Sequence, residues 1–197
     1  MIGSYKHVIF LHGVGSSGAA MRPLAEVLAL PQPAVCPDGL QPFDMGAGRQ
    51  WFSVKGVTEA NRPGRIAEAM PAFADLIASL GSPRDSVLIG FSQGAIMALH
   101  AVAAGMPVAG VIALSGRLAG PVGSRGDWPS VTLMHGADDP VMPPAVARAT
   151  EAWLQDAGAT PRLIVFDGLG HAIDARILKA VRDTLSLSGG DAARLST

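Results

Sequence analysis

Residues 90–94 read Gly90-Phe91-Ser92-Gln93-Gly94, "GFSQG". The run Val87-Leu88-Ile89 precedes them and Ala95-Ile96-Met97-Ala98-Leu99 follows. With 24 glycines and 14 serines in 197 residues, chance supplies roughly 0.2 matches to Gly-x-Ser-x-Gly. The pattern therefore has to be judged by its flanks. A short β-branched run that turns directly into an apolar helical stretch is the setting of a nucleophile elbow. Ser92 would sit on a tight, strained turn, with Gly90 and Gly94 letting strand and helix approach. The helix N-terminus behind Ser92 would offer free N–H groups and a positive dipole end to a developing oxyanion.

Working outward, short apolar runs closed by Gly or Pro recur at 7–11, 34–36, 87–89, 108–114, 131–134 and 163–166. Their apolarity is continuous rather than alternating, which suits parallel strands covered on both faces. Helical spacing fills the intervals at 18–29, 64–80, 93–104, 144–157 and 172–187. Pro71 predicts a kink or a late start in the second of these. Gly105 and Pro107 close the third. The pattern predicts one α/β domain over residues 1–197 with a mainly parallel sheet. It leaves a long loop at 38–63 and a frayed tail at 188–197.

Composition narrows the function. Hydrophobic residues make up 49% of the chain, far from the disordered range. A formal net charge of −1 without a basic block argues against nucleic-acid binding through phosphate contacts. Cys36 is the only cysteine, so neither a disulfide within the chain nor a cysteine zinc site is expected, and Cys36 is expected as a small buried hydrophobe. Neither a signal peptide nor a membrane span is expected, and a cytoplasmic protein fits best.

A serine nucleophile needs a base. In a fold of this kind the chain order is serine, acid, histidine. Of His7, His12, His100, His135 and His171, only His171 follows Ser92 with a strand-end acid between them. His100 falls within the helix after the elbow, and His135 ends its own strand. Asp138 and Asp139 follow the strand at 131–134, and Asp167 follows the last strand. Asp139 is favoured because Pro140 fixes an extended backbone there, whereas Asp167 lies only four residues before His171. The acid would hold the imidazole tautomer that leaves one nitrogen free for Ser92. The Gly-rich stretch "LHGVGSSG" (11–18) would supply a second oxyanion donor, the Val14 N–H, beside that of Gln93.

"GVGSSG" also matches the dinucleotide pattern G-x-G-x-x-G, with Asp38 at a suitable distance. That alternative leaves Ser92, Asp139 and His171 without a role. His12 and His135, each before a glycine, are expected to bond to backbone rather than to a metal. Trp51 and Phe52 either line an acyl groove or anchor the long loop. Trp128 and Trp153 are expected to be packing residues.

Together "LHGVGSSG", "RQWFSV" (49–54), "GFSQGA", "HGADDPVMP" (135–143) and "GHAI" (170–173) resemble the phospholipase/carboxylesterase family of α/β-hydrolases. The resemblance runs from about residue 6 to residue 186. It implies the α/β-hydrolase fold, a Ser92–Asp139–His171 triad, an oxyanion hole from the Val14 and Gln93 N–H groups, and no cofactor. One departure is Ser53, where the family usually carries Asp. Ester hydrolysis on short to medium acyl chains is therefore expected. An acyl-protein or acyl-CoA thioesterase would use the same residues, and a non-catalytic small-ligand binder is the alternative of another class. Residues 115–130 are too few for a helical lid, so an open cleft without interfacial activation is expected. The protein is expected as a monomer or homodimer, with an exposed apolar loop around Trp51 as the candidate pairing surface.

Overall fold

A computed structural model describes residues 2–186; the predicted frayed tail lies outside them. The apolar runs become β1 (His7–Leu11), β2 (Ala34–Val35), β5 (Ser86–Phe91), β6 (Gly110–Leu114), β7 (Ser130–Gly136) and β8 (Arg162–Phe166). They form one sheet in the order β2-β1-β5-β6-β7-β8, parallel throughout. The helices are α1 (Gly18–Leu28), α2 (Arg62–Ser79), α3 (Gln93–Ala103), α4 (Pro144–Asp156) and α5 (Ala175–Ser186).

The continuous apolarity of the strands feeds two cores, one on each face. Ile9, Leu11, Leu88, Val111, Ala113, Val131 and Leu133 pack with α2, α3 and α4 through Ile66, Phe73, Ile77, Met97 and Leu154. The alternate residues Val8, Phe10, Val87, Ile89, Ile112, Leu114 and Met134 pack with α1 and α5 through Met21, Leu28, Ile177, Val181 and Leu185. Each fully buried Leu, Ile or Phe contributes about 2 kcal/mol. Helices on both faces of a parallel sheet make this the α/β-hydrolase architecture expected. All the loops that carry candidate residues leave the same carboxyl edge of the sheet.

Several local expectations are corrected. Pro71 does not delay α2, which is assigned as one helix from Arg62 to Ser79. Pro71 and Ala67 are both exposed, so the Ala67 carbonyl deprived of its N–H partner can be hydrated. The 38–63 stretch is not all loop. It holds a short antiparallel pair, β3 (Gln41–Pro42) with β4 (Arg49–Gln50). Helix α5 begins at Ala175, later than expected, because Asp174 Oδ1 accepts the N–H groups of Arg176 and Ile177 at 2.9 and 3.0 Å and caps it there. Cys36 is half-buried rather than buried; its partial burial raises the thiol pKa, which disfavours the reactive thiolate. Trp128 and Trp153 pack against the first core, as expected.

Among the described residues no helix is long and apolar enough to cross a membrane.

Candidate active site

Ser92 lies between β5 and α3 with φ 51° and ψ −115°, a conformation that costs a non-glycine residue of order 1–3 kcal/mol. The turn is held from both sides. The Ser92 N–H donates to the Leu114 carbonyl at 2.9 Å, and its carbonyl accepts the Ile96 N–H at 3.1 Å. Side chains at positions 90 and 94 would collide with backbone: a Cβ on Gly90 would come within 2.5 Å of Ala95 N, and one on Gly94 would strike the Leu11 carbonyl. The two glycines of the motif are thus required by packing.

The loops after β7 and β8 are knitted together. Ala137 N–H donates to Phe166 O and Asp138 N–H to Leu169 O, both at 2.9 Å. That stitching brings Asp139 to His171. The His171 Nδ1–H donates to Asp139 Oδ2 at 2.7 Å, and the Ser92 hydroxyl donates to His171 Nε2 at 2.9 Å. Asp139 Oδ1 accepts the N–H groups of Val141 and Met142 at 2.9 and 2.8 Å. Burial alone would raise the Asp139 carboxyl, but the Met142 N–H, the His171 ring and the Val141 N–H outweigh it and hold it below the usual range. Asp138 and Asp167 are exposed, whereas Asp139 is buried.

Val14 and Gln93 both border the cavity in front of Ser92. Among the described residues neither N–H meets an acceptor. The Gln93 side chain has a task that the sequence did not reveal. Its Oε1 accepts the Trp51 N–H and its Nε2 donates to the Phe52 carbonyl, each at 2.8 Å. The residue after the serine therefore pins the long loop to the start of α3.

Trp51 and Phe52 part company. Trp51 is fully buried. Its Nε1–H donates to the His12 carbonyl at 2.7 Å, and its ring meets Phe73 edge-on at 5.5 Å. It anchors the loop, does not border the cavity, and cannot form the exposed pairing surface expected around it. Phe52 borders the cavity with Val14, Val54, Ile96, Met142 and Val146. The cavity holds about 320 Å³ and is mostly apolar near Ser92. A wider groove of about 880 Å³ runs between α2 and the end of α3 and contains none of the groups around Ser92.

His12 and His135 serve the backbone. His12 Nδ1–H donates to Gly13 O at 2.7 Å and its Nε2 accepts the Gly39 N–H at 2.8 Å; burial lowers its pKa, which keeps that pairing neutral. His135 Nε2–H donates to Met142 O at 2.7 Å and stands 3.5 Å from Asp139 Oδ2. Asp38, the acid of the dinucleotide pattern, accepts the Gly18 N–H at 2.7 Å. It occupies the helix N-terminal donor that a pyrophosphate would need.

His100 secures the segment after β6. Its Nε2 accepts the Ala119 N–H at 3.0 Å. Burial, helped by the Arg117 charge, pushes its pKa from 6.5 down to about 4. The ring stays neutral in the folded chain while the unfolded chain protonates it below pH 6.5. Its contribution to stability is therefore complete above that pH and is lost as pH falls toward 4. His100→Gln keeps an acceptor without the titration. Its urea midpoint should fall less between pH 7 and pH 4.5 than the wild type's, by the equivalent of about 2 kcal/mol.

Ser53 also has an explanation. Its hydroxyl donates to Asp44 Oδ2 at 2.6 Å and accepts from Arg65 Nη1 at 2.9 Å. The carboxylate facing Arg65 is thus supplied by Asp44, one residue removed through a hydroxyl. Ser53→Asp alone should set two carboxylates side by side and lower the thermal midpoint. Adding Asp44→Asn should restore it, and additive losses in the double variant would refute the relay.

A model of the family described as Phospholipase/Carboxylesterase matches residues 4–188. Esterase YpfH of Escherichia coli (strain K12) is 37% identical over 188 residues, covering 90% of this chain and 81% of that protein. The crystal structure of esterase PE8 superposes with a TM-score of 0.82 at 28% identity, covering 94% of this chain and 93% of the other. Zea mays acyl-protein thioesterase 2 shares the fold, with a TM-score of 0.75 at 24% identity over 95% of each chain. With the family pattern spanning β1 to α5, the chain belongs to the phospholipase/carboxylesterase family of α/β-hydrolases.

Proposed function

We propose that the chain is a carboxylesterase, acting as one domain through Ser92, His171 and Asp139 on esters of short to medium acyl chains. The unbroken hydrogen-bond line from Ser92 Oγ through His171 to Asp139, at a strained strand–helix turn, carries this reading. His171 Nε2 takes the Ser92 proton as Oγ attacks the acyl carbonyl. The oxygen's developing charge is met by the Val14 and Gln93 N–H groups, each worth about 3 kcal/mol. The tetrahedral species collapses, His171 returns the proton to the leaving alcohol, and an acyl-Ser92 ester remains. Water then attacks that ester with His171 as base, releasing the acid and free serine. All the groups required are side chains and N–H groups of this chain, and the reaction requires no cofactor.

A thioester substrate would use the same atoms, with a thiol leaving in place of the alcohol. Rates on p-nitrophenyl esters and on acyl thioesters of matched chain length separate the two. The 115–129 segment carries neither helix nor strand, which supports an open cleft; activity should rise smoothly through a substrate's micelle concentration. A cytoplasmic setting and a monomer or homodimer belong to the same proposal. The direct test is a fluorophosphonate probe, which should label the wild type and leave Ser92→Ala unlabelled. Label retained on the alanine variant would remove Ser92 from the mechanism, and no label on either would favour a non-catalytic binder.

A further inference from the structure

We propose that the preferred substrate carries a carboxylate on the part that enters the cavity in front of Ser92, received there by Arg62 and Arg117. The proposal rests on Ser92 being the nucleophile and concerns what reaches it.

The cavity is apolar beside Ser92 but ends on three charged residues, Glu59, Arg62 and Arg117. The two arginine side chains are only 19% and 14% exposed, whereas that of Glu59 is 69% exposed. The guanidiniums therefore belong to the wall and the glutamate to the rim. Glu59 Oε1 accepts from Arg62 Nη2 at 3.0 Å, and its other oxygen accepts from Arg117 Nη2. One carboxylate between two guanidiniums leaves a net single positive charge. That charge matches a monoanion.

A carboxylate suits the pair, since each guanidinium presents parallel donors that match its two oxygens. Glu59 already shows that a carboxylate fits between the pair, and it would compete with the substrate for them.

The test compares kcat/KM on p-nitrophenyl hexanoate and octanoate with that on the mono-p-nitrophenyl esters of adipic and suberic acid, whose far ends are carboxylates. A trimethylammonium-ended hexanoate ester serves as the cationic control. The carboxylate-ended esters should be preferred over neutral ones by about 10-fold, and the cationic ester should be the poorest. Arg62→Gln and Arg117→Gln should each reduce the anionic-to-neutral ratio by about 10-fold, while Glu59→Gln should raise it. A wild-type ratio at or below one overturns the proposal. So does a ratio unmoved by all three substitutions, or arginine variants that slow both ester classes in parallel, since the guanidiniums would then shape the cavity without sensing charge. Loss of the underlying mechanism is distinguishable: Ser92→Ala would then still cleave the neutral hexanoate ester.

Discussion

Ser92→Ala should lower kcat on p-nitrophenyl butyrate by roughly a million-fold while leaving the fold in place. The loss is large because nucleophile, base and orienting acid act as one unit. With Oγ gone, His171 Nε2 has no proton to take, and the Val14 and Gln93 N–H groups meet a carbonyl that nothing attacks. The fold should survive because, among the described residues, the hydroxyl has a single partner, His171. Alanine retains the Cβ and hence the same backbone strain. One lost hydrogen bond costs about 1 kcal/mol, so the thermal midpoint should move by only a few degrees. Steady-state turnover beside a melting curve checks both halves. Residual activity above one part in a hundred, from protein free of wild-type contamination, would sink Ser92 as nucleophile.

Asp139→Asn should be the second most damaging change, with kcat falling by about ten-thousand-fold. The reason lies in the donor count. Asp139 accepts three hydrogen bonds, two from the Val141 and Met142 N–H groups on Oδ1 and one from His171 Nδ1 on Oδ2. Asparagine has one acceptor oxygen. If that oxygen faces the two backbone donors, its NH₂ faces His171 and forces the proton onto Nε2, where the imidazole can no longer receive the Ser92 proton. If instead the oxygen faces His171, the NH₂ is driven against two N–H groups. The first orientation keeps both backbone hydrogen bonds and is favoured, so the reactive tautomer is lost with little change in shape. KM should shift little beside kcat, because the substitution leaves the cavity wall intact. An asparagine variant with more than a tenth of wild-type turnover would show that His171 is oriented by something other than Asp139.

The sequence revealed the frame of the site better than its walls. Parallel strands buried on both faces read as unbroken apolar runs, so β1 and β5 to β8 are legible to within a residue or two at most ends. The order Ser92, Asp139, His171 is legible because chain order mirrors strand order along the carboxyl edge. The 38–63 stretch is not legible, since its shape comes from distant partners. Arg49 pairs with Ser16, Gly39 with His12, and Trp51 with Gln93. None of these leaves a periodicity, so the burial of Trp51 and the exposure of the 44–48 tip look alike in sequence. The run of Pro71 through α2 was hidden for another reason. The cost of proline depends on which face it occupies, and α2 turns Pro71 to water. The Gln93 clamp had one available signal, a long amide directly after the serine, but its partners lie 42 and 41 residues away.

The backbone at Ser92 has a consequence for how such a chain is maintained through descent. A φ of 51° with a ψ of −115° is a conformation that glycine adopts more readily than any other residue. A lineage selected for persistence of the fold alone would drift toward glycine at this turn, gaining stability with each such change. Serine can hold the position only where loss of turnover outweighs that gain. The strained angle thus makes residue 92 a place where folding and the proposed reaction favour different amino acids, and the one present is the one that the proposed reaction requires.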